Sequence, residues 1–526
     1  MRRVQTAILG LIVLPLSAWA QKDTDAITQD GLKADVYFLS APEMAGRKTT
    51  SRESRIAANY IAAEFLRLGL KPLGDDGSYF QNYDLMLGAQ DDAHTSLVVR
   101  QGNVEKTLQL GHDFDLTWIT QTINPTKINA PVVFLGHGIQ APEYGYDEFA
   151  NIDLHGKIVI ILPHEPQEND ASSKFKGKWN TYHAYDQIKY EAIRKAGAVG
   201  ILEVIEKTPH RPPTVSSAPR EDWFPDAIYS LPDHWDLPVF EITEDAANQL
   251  LSASGTTVDE LHRKIDAELK PNSFELKDTT VTMSKAYTGR HVVSARNVLG
   301  LLEGADPKLK DEYVVVSAHH DHLGVVGDRV QYGADDNASG EAAMLAVARA
   351  FVAQGRRPRR SILFASFDSE EAGMLGSFYY AAHPVLPIEK AAAILNMDMV
   401  ASNEDTPTWK LDASYTAASV NLVGTRYSPD LRKIAELANA PLHLNLDFKT
   451  DAEDREEWLA RSDQFVFVSR NVPAILFNTG EHPDYHTEND TWNKLNYPKL
   501  WRIAQLVYRT AEGVADSDAR PRFDTH

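Results

Sequence analysis

The 526-residue chain contains no cysteine. Disulfides are therefore excluded, as is lipidation of an N-terminal cysteine. Packing, together with any bound metal, must stabilise the chain if it is exported. A basic stripe is also missing, and the formal charge is −21, which speaks against a nucleic-acid partner. No apolar run is long enough to span a bilayer, which takes ~20 residues. Internal repeats and low-complexity tracts are absent. What remains is an acidic globular chain, long enough for two to four domains.

Arg2 and Arg3 precede an apolar run from Ala7 to Leu16, and Ala18-Trp19-Ala20 follows as a small-x-small site. This pattern is a secretory signal peptide cut after Ala20. The other reading, a membrane anchor, needs a run about twice as long. The expectation is an exported protein, periplasmic or secreted, with no membrane attachment after cleavage.

Beyond the signal, "ESRIAANYIAAEFLRLGLKP" places Ala57, Ile61, Phe65 and Leu68 on one helical face, stopped by Gly69 and Pro72. From about Pro125 to Glu275, short β-rich runs such as "GKIVIILP" and "LPVFEIT" surround a helical stretch. They read as an inserted β-rich domain, with Lys207 to Asp222 as a surface loop. From about Arg290 the pattern is α/β. "YVVVSAH", "RSILFASF", "AAAILNMDMV" and "VPAILFN" are near-continuous apolar strands, as a sheet covered on both faces requires. "SGEAAMLAVARAFVAQG" is a helix with Ser339 as N-cap and Gly355 as its stop. The fold class expected is α/β, a mainly parallel mixed sheet between helices. The domain bounds are 1–20 (signal), 21–115 (N-terminal part of the sheet domain), 116–285 (insertion), 286–516 (main sheet domain) and 517–526 (flexible tail).

Each of these strands runs into polar groups, and open α/β sheets bind ligands beyond the carboxyl ends of their strands. In "SAHHDHLG", His319 and Asp321 are two apart and point to the same side of an extended backbone. One suits a metal while the other receives the remaining imidazole N–H. In "GADDNASG", one acid or Asn337 suffices to cap the following helix, which leaves a second acid unexplained. In "FASFDSEEAG", Glu370 and Glu371 would repel each other unless a cation joins them. Adjacent side chains diverge, so one glutamate can bind metal while its neighbour faces the water. Asp398 ends an otherwise apolar strand, and "DYHTENDTWN" brings Tyr485 and His486. Imidazole and carboxylate ligation without thiolate suits zinc, with manganese or cobalt as alternatives.

Taken in this order, the five motifs resemble the secreted dizinc aminopeptidases, the family that also contains glutamate carboxypeptidase and the transferrin receptor. The segments "LSAPEMAGRKTTSRES" and "YIAAEFLRLGLKP" are similar to that family's N-terminal part, and the insertion resembles a protease-associated domain. The resemblance implies two zinc ions per chain. It implies that His319 and Asp398 bind one, Glu371 and His486 the other, and that Asp335 bridges them. Asp336 would follow the bridge through a strained peptide, with His320 and His322 as non-ligands. Asp321 would orient His319, and Glu370 would be the general base. Tyr485 would face the oxyanion and Arg461 the substrate, although Gln464 stands where the family commonly has histidine. The activity implied is an exopeptidase acting on peptides, an aminopeptidase first. A carboxypeptidase or dipeptidase is the alternative, then a glutaminyl cyclase, and lastly a non-catalytic receptor.

Overall fold

A computed structural model describes residues 24–117, 122–205, 228–232, 237–406, 411–454 and 457–525. The signal peptide and the 207–222 loop lie outside the described residues. Two large sheets organise the rest.

The main sheet contains β1 (Phe80–Gln90), β2 (Tyr287–Leu302), β3 (Tyr313–His319), β4 (Ser361–Phe367), β5 (Ala391–Met397), β6 (Ser419–Val423) and β7 (Ala474–Asn478). Their order is β1-β2-β4-β3-β5-β7-β6, with Ile228–Ser230 beside β1 and Asn445–Asp447 beside β6. The centre is parallel, with β3 pairing in parallel with β4 and β5, and β5 with β7; at one edge Asn445–Asp447 also runs parallel to β6. β1, β2 and β6 join antiparallel to their neighbours β2, β4 and β7, which makes the sheet mixed around its parallel centre. The reason is connectivity. β1 and β2 are the strands entering and leaving the insertion, and they pair with each other as a long ribbon.

Every residue of β3, β4, β5 and β7 is buried, which accounts for their uninterrupted apolar character. One face is covered by α1 (Gln29–Leu39), α2 (Arg52–Leu68), α4 (Gly340–Ala353) and α5 (Tyr497–Ala515). As the periodicity predicts, α2 buries Ala57, Ile61 and Phe65, and Gly69 ends it in the left-handed region. Opposite charges tie these helices together. Arg349 of α4 donates to Asp35 of α1 at 2.5 and 3.0 Å and to Glu64 of α2 at 2.7 Å.

The second sheet has eight strands, from Ser96–Gln101 to Phe274–Lys285, and its own apolar core around Leu97, Phe134 and Phe240. Helix α3 (Val258–Glu268) packs Leu261 and Ile265 into that core. This layer starts well before residue 116, because Ser96–Gln101 pairs antiparallel with Thr279–Ser284. The terminal segment also departs from the flexible tail expected from 517 onward. Arg522 binds Asp430 at 2.8 Å, the Phe523 ring stacks on Tyr427, and the Asp524 N–H donates to the Tyr427 carbonyl.

Candidate metal centre

The four parallel strands end at one edge, so whatever follows them is delivered to the same place. His319 is the last residue of β3, Glu370 and Glu371 lie just beyond β4, and Asp398 follows β5 directly. His486 comes from the loop after β7, and Asp336 from the turn that opens α4. Buried strands leave no room for these polar groups until the chain exits the sheet.

Two ligand sets meet there. His319 Nε2 stands 3.4 Å from Asp336 Oδ1, 3.5 Å from Asp398 Oδ1 and 3.8 Å from Glu370 Oε2. His486 Nε2 stands 2.9 Å from Asp336 Oδ2 and 3.5 Å from Glu371 Oε2. Asp336 thus turns one oxygen to each set. His322 lies against the second set, with Nδ1 2.6 Å from Glu371 Oε1, a hydrogen bond to a ligand, and 3.8 Å from Asp336 Oδ2. The motif pattern expects a non-ligand at this position, and a hydrogen bond onto Glu371 is compatible with that. The signal of His322 was weak, because a third histidine at a strand exit is ordinarily solvated, whereas this one is buried.

Asp335 does not take the bridging position expected of it. Its Oδ1 accepts the Ala401 N–H at 2.7 Å, and its Oδ2 faces His482 at 3.3 Å. The physical reason is the divergence of adjacent side chains: Asp335 turns toward the loop after β5, and Asp336 turns into the cleft. The Asp336–Asn337 peptide is cis. Ser339 does stand at the N-cap position of α4, but its side chain makes no capping hydrogen bond. Asn337 Oδ1 accepts the Gly340 N–H at 3.0 Å, while Ser339 donates to the Asp335 carbonyl.

The surroundings hold this arrangement in place. Asp321 lies 3.6 Å from His319 Nδ1 and accepts the backbone N–H groups of Glu370 and Glu371. One carboxylate therefore orients a ligand of each set. Asp490 accepts the N–H groups of Asp335 and Asp336. Arg47 is fully buried and donates to the carbonyls of Leu39, His320, Tyr332 and Gly333. Nothing in the sequence marked Arg47 or Asp490, since a clamp on backbone carbonyls has no side-chain pattern. Gly333 has φ 61°, and a Cβ there would meet the Asp336 carbonyl oxygen at 2.2 Å and the His322 ring at 2.5 Å.

The residues fit a pair of cations. His319 is buried, and among the described residues neither of its ring nitrogens is in a hydrogen bond, although carboxylates surround it. Two ligands of a tetrahedral zinc, each ~2.0–2.1 Å from the ion, stand ~3.3 Å apart, close to the 3.4 and 3.5 Å separations at His319. The protonation pattern agrees. Burial opposes charge on His486, but Glu371 and Asp336 outweigh it and push the imidazole up to about 9. Burial, reinforced by Asp398 and Glu371, pushes the Glu370 carboxyl well above its usual range. Left to themselves, these crowded acids are balanced by protons, and a cation would replace them.

Asp336, Glu370, Glu371 and Asp398 line one cleft with Trp458, Arg461, Glu481 and Tyr485. The Tyr485 ring stacks on His486 at 3.8 Å. Arg461 binds Glu481 at 2.7 Å and lies over the Trp458 ring. Gln464 is buried, accepts from Asn396 and donates to the Leu459 carbonyl, so it braces the loop behind the cleft.

A two-cation cleft at the edge of a mixed α/β sheet defines a metallohydrolase-type centre. Residues 297–511 match the model of peptidase family M28. A probable glutamate carboxypeptidase of Zea mays is 28% identical over 39% of this chain and 27% of its own length. An aminopeptidase of Rattus norvegicus is 30% identical over 30% of this chain and 21% of its own. A glutamate carboxypeptidase 2 homolog of Caenorhabditis briggsae is 22% identical over 72% and 53%. The chain thus spans about half or less of the length of these curated relatives. Among solved structures, an aminopeptidase from Aneurinibacillus sp. strain AM-1 is 20% identical, with a TM-score of 0.47, and covers 96% of each chain.

Proposed function

We propose that the protein is a zinc-dependent exopeptidase, an aminopeptidase that removes residues from the N-termini of peptides. The observation carrying this reading is the placement of Asp336 between two ligand sets, with Glu370 beside them in the same cleft. His319, Asp398 and Asp336 would hold one zinc, and His486, Glu371 and Asp336 the other. When bound, such a pair polarises the scissile carbonyl and lowers the pKa of water.

The chain's own groups supply the rest. Glu370 takes a proton from the attacking water and returns it to the leaving amine, so the carboxylate is regenerated. Tyr485, at the cleft wall, is positioned to donate to the carbonyl oxygen as it gains charge. The cleft is lined by five carboxylates, those of Asp336, Glu370, Glu371, Asp398 and Glu481. Its guanidinium, Arg461, is already engaged by Glu481. That balance favours a substrate's ammonium terminus over its carboxylate. A carboxypeptidase is the second reading, supported by the relatives' names and requiring Arg461 to leave Glu481 for the substrate.

The second sheet is proposed to be a protease-associated domain that shapes access. Tyr185, from the inserted segment, donates to Asp454 at 2.7 Å, and Asp454 accepts from the backbone of Trp458 at the cleft. Export after removal of residues 1–20 belongs to the same proposal. The test is metal content together with cleavage of aminoacyl-anilides, N-blocked peptides and peptides ending in glutamate. Two zinc ions held by the cleft, apart from any bound in the inserted domain, and cleavage of the unblocked substrates alone are expected. A metal-free protein, or cleavage that ignores N-blocking, would overturn the reading.

A further inference from the structure

A second group of metal-type side chains lies in the inserted domain, away from the cleft. His137 follows strand Thr126–Phe134 and is 1% exposed. Its Nδ1 lies 2.7 Å from the Pro163 carbonyl oxygen. A carbonyl only accepts, so Nδ1 carries the proton and Nε2 is left as a bare lone pair. That Nε2 is buried and has no hydrogen-bond partner among the described residues.

Facing it are His262 and Asp266, one turn apart on α3. The His137 and His262 rings are 5.5 Å apart between centroids, and His262 Nε2 is 3.7 Å from Asp266 Oδ2. One candidate ligand atom from each of the three residues lies within 4.8 Å of the other two. The backbone N–H of Gln167 donates to Asp266 Oδ1 at 2.8 Å, which orients that carboxylate.

We propose that His137, His262 and Asp266 form a metal site of their own for a zinc-class divalent cation, pinning α3 to the loop after Thr126–Phe134. An imidazole whose other nitrogen donates to a carbonyl is the usual state of a metal-bound histidine. A buried Nε2 without a partner is a desolvated lone pair left unused, and a cation would satisfy it. Burial, with His262 and Lys189 nearby, holds His137 well below its usual range, so it stays neutral and free to ligate. Two imidazoles and one carboxylate suit zinc, cobalt or nickel, while calcium and magnesium prefer oxygen sets. His262 and Asp266 are partly exposed, so solvent can supply the remaining ligand.

The test uses the full chain, stripped of metal and retitrated with zinc. Zinc per chain is counted by mass spectrometry after gel filtration. H262A and D266A are each expected to bind one ion fewer than the parent, with peptide cleavage unchanged. E371A should keep the insertion's ion. The readout is the difference between parent and variant, so it stands whatever the catalytic cleft holds. In the parent protein, zinc should also protect His262 from acylation by diethyl pyrocarbonate at least tenfold, a measurement that needs no variant. Equal zinc counts in the parent and both variants, or no protection of His262, would overturn the site.

Discussion

Replacing Asp336 by asparagine should empty the catalytic cleft, while the same change at Asp335 should not. The structure sets the sizes. Asp336 turns Oδ1 to within 3.4 Å of His319 and Oδ2 to within 2.9 Å of His486, so one carboxylate serves both ligand sets. An amide removes its charge from each. At an effective dielectric near 20, a unit charge ~4 Å from another is worth about 4 kcal/mol, and a zinc carries two. Even the single-charge figure of about 4 kcal/mol per ion is about a thousandfold in affinity, so the loss should be at least that large. At Asp335, an amide oxygen can still accept the Ala401 N–H, now made at 2.7 Å. The expected cost there is about 1–2 kcal/mol of stability with metal content intact. Each protein would be equilibrated against a chelator-buffered zinc series, with bound metal and turnover read together. If D336N kept both ions at parental affinity, or D335N lost them, the geometry of the two ligand sets would be wrong.

Four further outcomes can be checked. E370Q should retain its zinc and lose on the order of 10²–10⁴ in turnover, because only the proton carrier is removed; metal analysis beside anilide hydrolysis decides it. H322A removes the group 2.6 Å from Glu371 Oε1 and should weaken one zinc by about 10–100-fold while sparing the other, as stepwise zinc titration would show. R349A leaves Asp35 and Glu64 without their guanidinium between α1, α2 and α4, and should cost about 3–5 kcal/mol in denaturant unfolding. Burial pushes Glu148 up to about 7, although it accepts from Ile139 N and Tyr146. The folded state therefore keeps a proton that the unfolded chain has already released, so stability is present at low pH and falls as pH rises through 7. The parent should lose roughly 2–3 kcal/mol relative to E148Q between pH 5 and pH 8, measured by unfolding at each pH.

The amino-acid order alone determined the chemistry and the frame. Apolar runs ending in His319, Glu370, Glu371, Asp398 and the loop of His486 announced a sheet edge rich in ligands. They did so because buried strands exclude polar groups until they exit. The face of α2 and its stop at Gly69 were legible from helical spacing for the same local reason. Tertiary structure alone decided which of two adjacent aspartates enters the cleft, since Asp335 and Asp336 differ only in the direction the turn gives them. It alone brought His322 onto Glu371, Arg47 across four carbonyls, and His137 toward α3. Each of these depends on where distant backbone comes to rest, and such proximity leaves no periodic trace along the chain.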